Sequence, residues 1–143
     1  MARVDFYLLA SYQAQICEQF ACKLTEKVYR LGQQIYIHVE DQHQAQVMDD
    51  LLWTFRQGSF VPHSLVGTEE ALESPVLIGH EGKPEIEMNL LINLSPKTPK
   101  FFSHFQRIAE IIDQDEIKRR AGRERYRYYR NQGCLLETHK ISP

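Results

Sequence analysis

The stretch VDFYLLASYQAQICEQFACKLTEKVYRLGQQIYIHV, residues 4–39, decides the fold class. Val4 to Leu9 is short, aromatic and aliphatic, and polar residues follow it, as in a buried strand. Ile16, Phe20, Leu24, Val28 and Leu31 then recur at helical spacing, and Gly32 stands where a helix of about five turns would stop. Gln34 to Val39 reads as a second strand. A strand, a long helix and a strand in this order predict a parallel pair joined by a right-handed crossover.

Further along, Asp41 can cap a helix whose Ala45, Val47, Met48, Leu51 and Leu52 face the sheet and which ends near Trp53. Thr54 to Ser74 reads as a long surface connection in which Pro62 forbids a central strand. Val76 to Ile78 and Leu90 to Leu94 are strand candidates on either side of the turn-rich Gly79 to Pro84. Pro96 and Pro99 predict a helix carrying Phe101, Phe102, Phe105, Ile108, Ala109 and Ile112. Asp113 or Asp115 caps a last helix, Glu116 is placed for a capping box on Asp113, and Gly133 ends the helix before an extended Cys134 to Thr138. Alternation of this kind predicts one three-layer α/β domain over residues 1–143 with a mostly parallel sheet.

Composition agrees. The 143 residues are 43% hydrophobic and 25% charged, enough for an ordinary core and close to the roughly 150 residues of one domain. The longest apolar runs fall far short of the ~18 residues a bilayer span needs, and no signal-peptide core follows Met1 to Asp5. Cys17, Cys22 and Cys134 form neither a Cys-x-x-Cys pair nor a disulfide framework. A cytoplasmic protein without a membrane partner is expected.

Catalytic motifs are missing. The turn after the first strand, Ala10 to Gln13, contains no glycine, and Gly82-Lys83 has the wrong upstream spacing for a phosphate loop and Pro84 where Ser or Thr should follow. Cys17 and Cys22 read as buried hydrophobes, the six histidines lack metal-ligand spacing, and His63 reads as a structural loop residue rather than a base. No catalytic residue, metal or cofactor is expected.

Charge is segregated. Lys118, Arg119, Arg120, Arg123, Arg125, Arg127 and Arg130 against Glu124 give residues 118–130 a net +6, which leaves −8 for the other 130 residues given the total of −2. On a helix Arg119, Arg123, Tyr126 and Arg130 share a stripe roughly 60° wide. Such a stripe suits a carboxylate attached to an apolar group, serves as a solvated face, or contacts nucleic acid through Tyr126 and Tyr129. A second constellation, Trp53, Phe55, Phe60, Val61 and Pro62, reads partly as core and partly as a partner-binding hot spot.

These residues carry a resemblance. Phe6-Tyr7-Leu8-Leu9, Ile35 to Val39 with Glu40-Asp41, Leu52-Trp53, Ser59-Phe60-Val61-Pro62-His63, Asn93-Leu94-Ser95 and Arg123-Glu124-Arg125-Tyr126 with Tyr129-Arg130 and Gly133 occur in order. In this pattern the sequence resembles the chi subunit family of bacterial DNA polymerase III holoenzyme. The resemblance implies a Rossmann-like, non-catalytic adaptor of the clamp loader that bridges the psi subunit and the acidic C-terminal tail of single-stranded DNA-binding protein, which ends in Pro-Phe. It implies a tail site at Arg123 and Tyr126 with Ile112 and Leu136, to which helical phase adds Arg119 and Arg130. It further implies psi at Trp53, Phe60, Val61 and Pro62, an alternative helicase partner at Trp53, and no direct specific contact with nucleic acid. Ile111 to Asp115 lacks a proline common in the family, and the His80 to Glu87 turn departs from the pattern. The competing readings are a degenerate nucleotide-binding enzyme and a direct DNA-binding module.

Overall fold

The computed structural model describes residues 2–68, 71–84 and 87–142. Its elements are β1 (Arg3–Leu9), α1 (Ile16–Arg30), β2 (Ile35–His38), α2 (Gln42–Thr54), β3 (His63–Leu65), β4 (Val76–Gly79), β5 (Leu90–Asn93), β6 (Arg107–Ile112), α3 (Glu116–Asn131) and β7 (Leu135–Ile141). The strands form one sheet in the order β3-β4-β2-β5-β6-β1-β7, and every neighbouring pair is parallel. This is the Rossmann-like three-layer arrangement that the alternation predicts.

Two cores flank the sheet. Tyr7, Leu9, Ile35, Ile37, Leu90 and Ile92 face one way and pack with Cys22, Val28, Met48 and Leu52 of α1 and α2. Val4, Phe6, Tyr36, Leu91 and Ile108 face the other way and pack with Tyr129 of α3 and with Phe102 and Phe105. Alternate residues of each central strand thus enter opposite cores, and each buried large side chain contributes about 1.5–3 kcal/mol. Asp41 caps α2 by accepting the Gln44 N–H at 2.9 Å, and Gly32 follows α1 at φ 81°.

Three expectations need correction. β1 and β2 are parallel but not adjacent, because β5 and β6 lie between them. The connection from Thr54 to Ser74 contains the edge strand β3 and a 3-10 turn at Ala71–Glu73, while Glu69 and Glu70 lie outside the described residues. Pro62 immediately precedes β3, and the strand's position at the sheet edge is where a neighbouring proline is tolerated.

The largest correction concerns Phe101 to Ile112, which is not a helix. A 3-10 turn at Phe102–His104 leads into β6, which lies between β5 and β1 with Ile108 to Ile112 all buried. Burial on both faces is the mark of a central parallel strand. Of the His80 to Glu87 turn, Glu85 and Ile86 lie outside the described residues.

Candidate functional site

α3 carries most of the candidate residues, and its sequence sets both ends. Asp115 accepts the Lys118 N–H at 3.0 Å as N-cap. Asp113 has another role: it accepts the Asp115 N–H at 2.9 Å and pairs with Lys118 at 3.1 Å. The expected capping box from Glu116 to Asp113 is therefore absent, since Glu116 is already the first helical residue. At the other end Gly133 has φ 82°, its N–H reaches the Arg130 carbonyl, and the Cys134 N–H reaches that of Tyr129, a Schellman stop.

A buried polar network fixes the rotation of α3 on the sheet. Glu110 of β6 is fully buried and accepts hydrogen bonds from Arg125 Nε at 2.9 Å, Tyr129 Oη at 2.7 Å and Asn93 Nδ2 at 2.9 Å. Arg125 also donates to the Pro96 carbonyl at 2.8 Å. Burial pushes the Glu110 carboxyl above the usual carboxylate range, and the Arg125 charge and these donors oppose that shift. Arg125 and Tyr129 thereby turn inward, and Arg119, Arg123 and Tyr126 fall on the flank of the helix facing β1 and β7.

There they line a groove of about 240 Å³ with Phe6 and Leu8 of β1, Ile112 of β6, Gly122 of α3 and Thr138 of β7. Tyr126 tilts against Phe6, with ring centroids 5.3 Å apart. The floor is apolar and the rim carries two guanidiniums. Arg123 makes only a 3.6 Å pair with exposed Glu116, and Arg119, Arg120, Arg127 and Arg130 have no ion-pair partner among the described residues. Of the expected tail-site residues, the structure brings Ile112, Arg119, Arg123 and Tyr126 together. Leu136 lies on the same sheet face opposite Val4, half-buried and outside the lining, and Arg130 stands exposed one turn beyond Tyr126. Phe6 and Leu8 escape sequence reasoning because more than 100 residues separate β1 from the rest of the lining, and Thr138 because only the pairing of β7 with β1 brings it opposite Phe6.

The second constellation lies across the molecule, at the end of α2. Trp53 is 52% and Phe60 67% exposed, with ring centroids 5.8 Å apart, and Pro62 is half-buried beside them. Val61 corrects the reading of a four-residue surface: at 1% exposure it belongs to the core. His63 packs on Trp53 at 4.4 Å and its side chain is buried, with Nδ1 2.7 Å from the Val61 carbonyl and Nε2 3.2 Å from Asp49. Glu26 of α1 ties down the loop before Phe60 by accepting from Ser59 and Arg56, while Arg30 of the same helix pairs with it at 3.5 Å. The Ser59 hydrogen bond, then the Arg30 and Arg56 charges, hold its carboxyl below the usual range.

Little else offers chemistry. The groove at the carboxyl edge of the sheet, where α/β folds hold nucleotides, measures about 320 Å³ and is lined by Glu18, Glu40 and Asp115. Its two cations, Lys118 and Arg125, are already paired with Asp113 and Glu110. Burial pushes the nearby Cys17 thiol up to about 12, so it stays protonated. Asp5, Glu137 and His139 bring ligand atoms within 4.8 Å of one another. Arg3 and Arg107 occupy that space, however, each bonded to Asp5, with Arg3 also paired to Glu137, so the cluster is an ion-pair network stitching β1, β6 and β7.

Comparison with known proteins bears on the whole chain. A family model described as DNA polymerase III chi subunit, HolC, matches residues 1–137. DNA polymerase III subunit chi of Pseudomonas aeruginosa is 41% identical over 141 residues, covering 99% of this chain and 98% of that protein. The subunits chi of Haemophilus influenzae and Escherichia coli are 33% and 30% identical, each covering 96% of this chain and 96% and 97% of their own lengths. The C-terminal domain of the DEAD-box protein Dbp5 superposes with a TM-score of 0.63 over 99% of this chain and 91% of its own, at 14% identity, which shows shared fold alone. No described helix is long and apolar enough to cross a membrane. With a matched model spanning all but the last six residues and relatives aligned nearly end to end, the chain belongs to the DNA polymerase III chi subunit family.

Proposed function

We propose that this protein is a non-catalytic adaptor of the replicative DNA polymerase III clamp loader, a single domain over residues 1–143. It holds the acidic C-terminal tail of single-stranded DNA-binding protein in the groove beside α3 and the psi subunit at the Trp53 and Phe60 surface. The carrying observation is an apolar groove rimmed by Arg119 and Arg123. A C-terminal residue is the one part of a peptide in which a carboxylate and an apolar side chain share a single Cα. Arg123 takes the carboxylate as a fork in exchange for its loose contact with Glu116, and Phe6, Ile112 and Tyr126 desolvate the side chain. At about 240 Å³ the groove lies below the ~300 Å³ of small-molecule pockets and suits one or two residues. The arginines along the outer face of α3 attract the acidic residues that precede them.

Calorimetric titration of an acidic peptide ending in Pro-Phe tests this reading. Arg123→Ala removes a charge-assisted hydrogen bond, so the affinity falls by roughly tenfold to hundredfold, about 1.5–3 kcal/mol. Added salt weakens the complex less steeply than it would a DNA complex that neutralises many phosphates. ATP and NAD give no heat, because Ala10 to Gln13 offers no phosphate cradle and the neighbouring groove is acidic. Equal peptide affinities for wild type and variant contradict the site, and saturable ATP binding contradicts the adaptor reading.

A further inference from the structure

Gly122 sits in the middle of α3 with ordinary helical backbone, so no turn or left-handed φ demands glycine there. Its place is explained by space. A Cβ on residue 122 would lie 2.3 Å from Ile112 Cδ1 and 3.3 Å from Ile112 Cγ1, whereas Arg125 Nη2, the next atom, is at an ordinary 3.7 Å. The tip of Ile112 thus fills the volume that a methyl group on α3 would take, and both residues line the groove.

We infer that the Gly122 to Ile112 contact sets the depth of the groove and so selects a large aromatic side chain over a small one at the ligand's C-terminus. The inference rests on the tail-binding reading above. Ile112 is the last residue of β6, fixed by its pairing with Leu8, so its backbone cannot retreat from a side chain at position 122. Its flexible δ-methyl moves instead, away from α3 and into the space beside Phe6 and Tyr126. A methylene's worth of space in an apolar pocket changes binding by about 10–200-fold.

The test titrates wild type, Gly122→Ala, Ile112→Val and the double variant with two acidic peptides identical except for a terminal Phe or Ala, alongside thermal melting of each protein. Gly122→Ala weakens the Phe-terminated peptide by about tenfold or more and leaves the Ala-terminated one unchanged. The double variant, which lacks the Cδ1 that the new methyl meets, regains the Phe preference. Equal affinities of wild type and Gly122→Ala for the Phe-terminated peptide overturn the inference. So does equal weakening of both peptides, or a double variant that melts like wild type yet stays weak. Failure of wild type to bind either peptide contradicts the tail-binding reading itself, a result visible before any variant is made.

Discussion

Arg125→Ala destabilises the fold by about 3–5 kcal/mol, the cost of stranding a buried carboxylate whose ion partner has been removed. Glu110 is fully buried, and after the substitution only Asn93 and Tyr129 among the described residues still donate to it. The Pro96 carbonyl loses its donor as well. Urea unfolding measures the loss directly, and melting drops by on the order of 10 °C for a chain of this size. Removing both charges together, as Glu110→Gln with Arg125→Met, costs less than Arg125→Ala alone, because no unpaired charge is left behind. A loss below about 1 kcal/mol for Arg125→Ala contradicts the assignment of this pair as the anchor of α3.

Replacing Trp53 and Phe60 by alanine has the largest expected effect on binding. Each ring is more than half exposed, so little fold stability depends on it, yet the two tilt against one another over a loop that Glu26 and His63 hold in place. Pre-ordered aromatic anchors of this kind carry a disproportionate share of interface energy. Phe60→Ala loses at least about 2 kcal/mol of psi affinity, roughly thirtyfold, and the double replacement loses more, with melting close to wild type. Tail-peptide binding is unaffected, since its groove lies on the other flank of the sheet. Co-purification of psi with the double variant at wild-type affinity contradicts this surface.

Legibility in the sequence followed the range of the interactions. β1, α1 and β2, the Asp41 cap and the Gly133 stop rest on local periodicity and capping, and each is found in place. The phase of Arg119, Arg123 and Tyr126 is equally local, which is why those three meet in one groove. β6 was not legible: Phe101, Phe105, Ile108, Ala109 and Ile112 mimic helical spacing, although Ile108 to Ile112 are buried on both faces by partners distant in the chain. The same long range hides a second feature. In the sequence Arg125 is one of seven basic residues in a +6 stretch, and only the position of Glu110 on β6 shows that it turns into the core. Val61 escapes for a related reason, because an apolar residue between exposed Phe60 and half-buried Pro62 shows its direction only once the sheet beneath it is known.

The most direct test of the account is the amide and methyl NMR spectrum of the labelled protein during titration with an acidic peptide ending in Pro-Phe. Saturable shifts are expected to concentrate on Phe6, Leu8, Ile112, Arg119, Gly122, Arg123, Tyr126 and Thr138, with Trp53 and Phe60 unmoved. Shifts centred instead on Trp53 and Phe60, or on the carboxyl-edge groove at Glu18, Glu40 and Ser95, would contradict it.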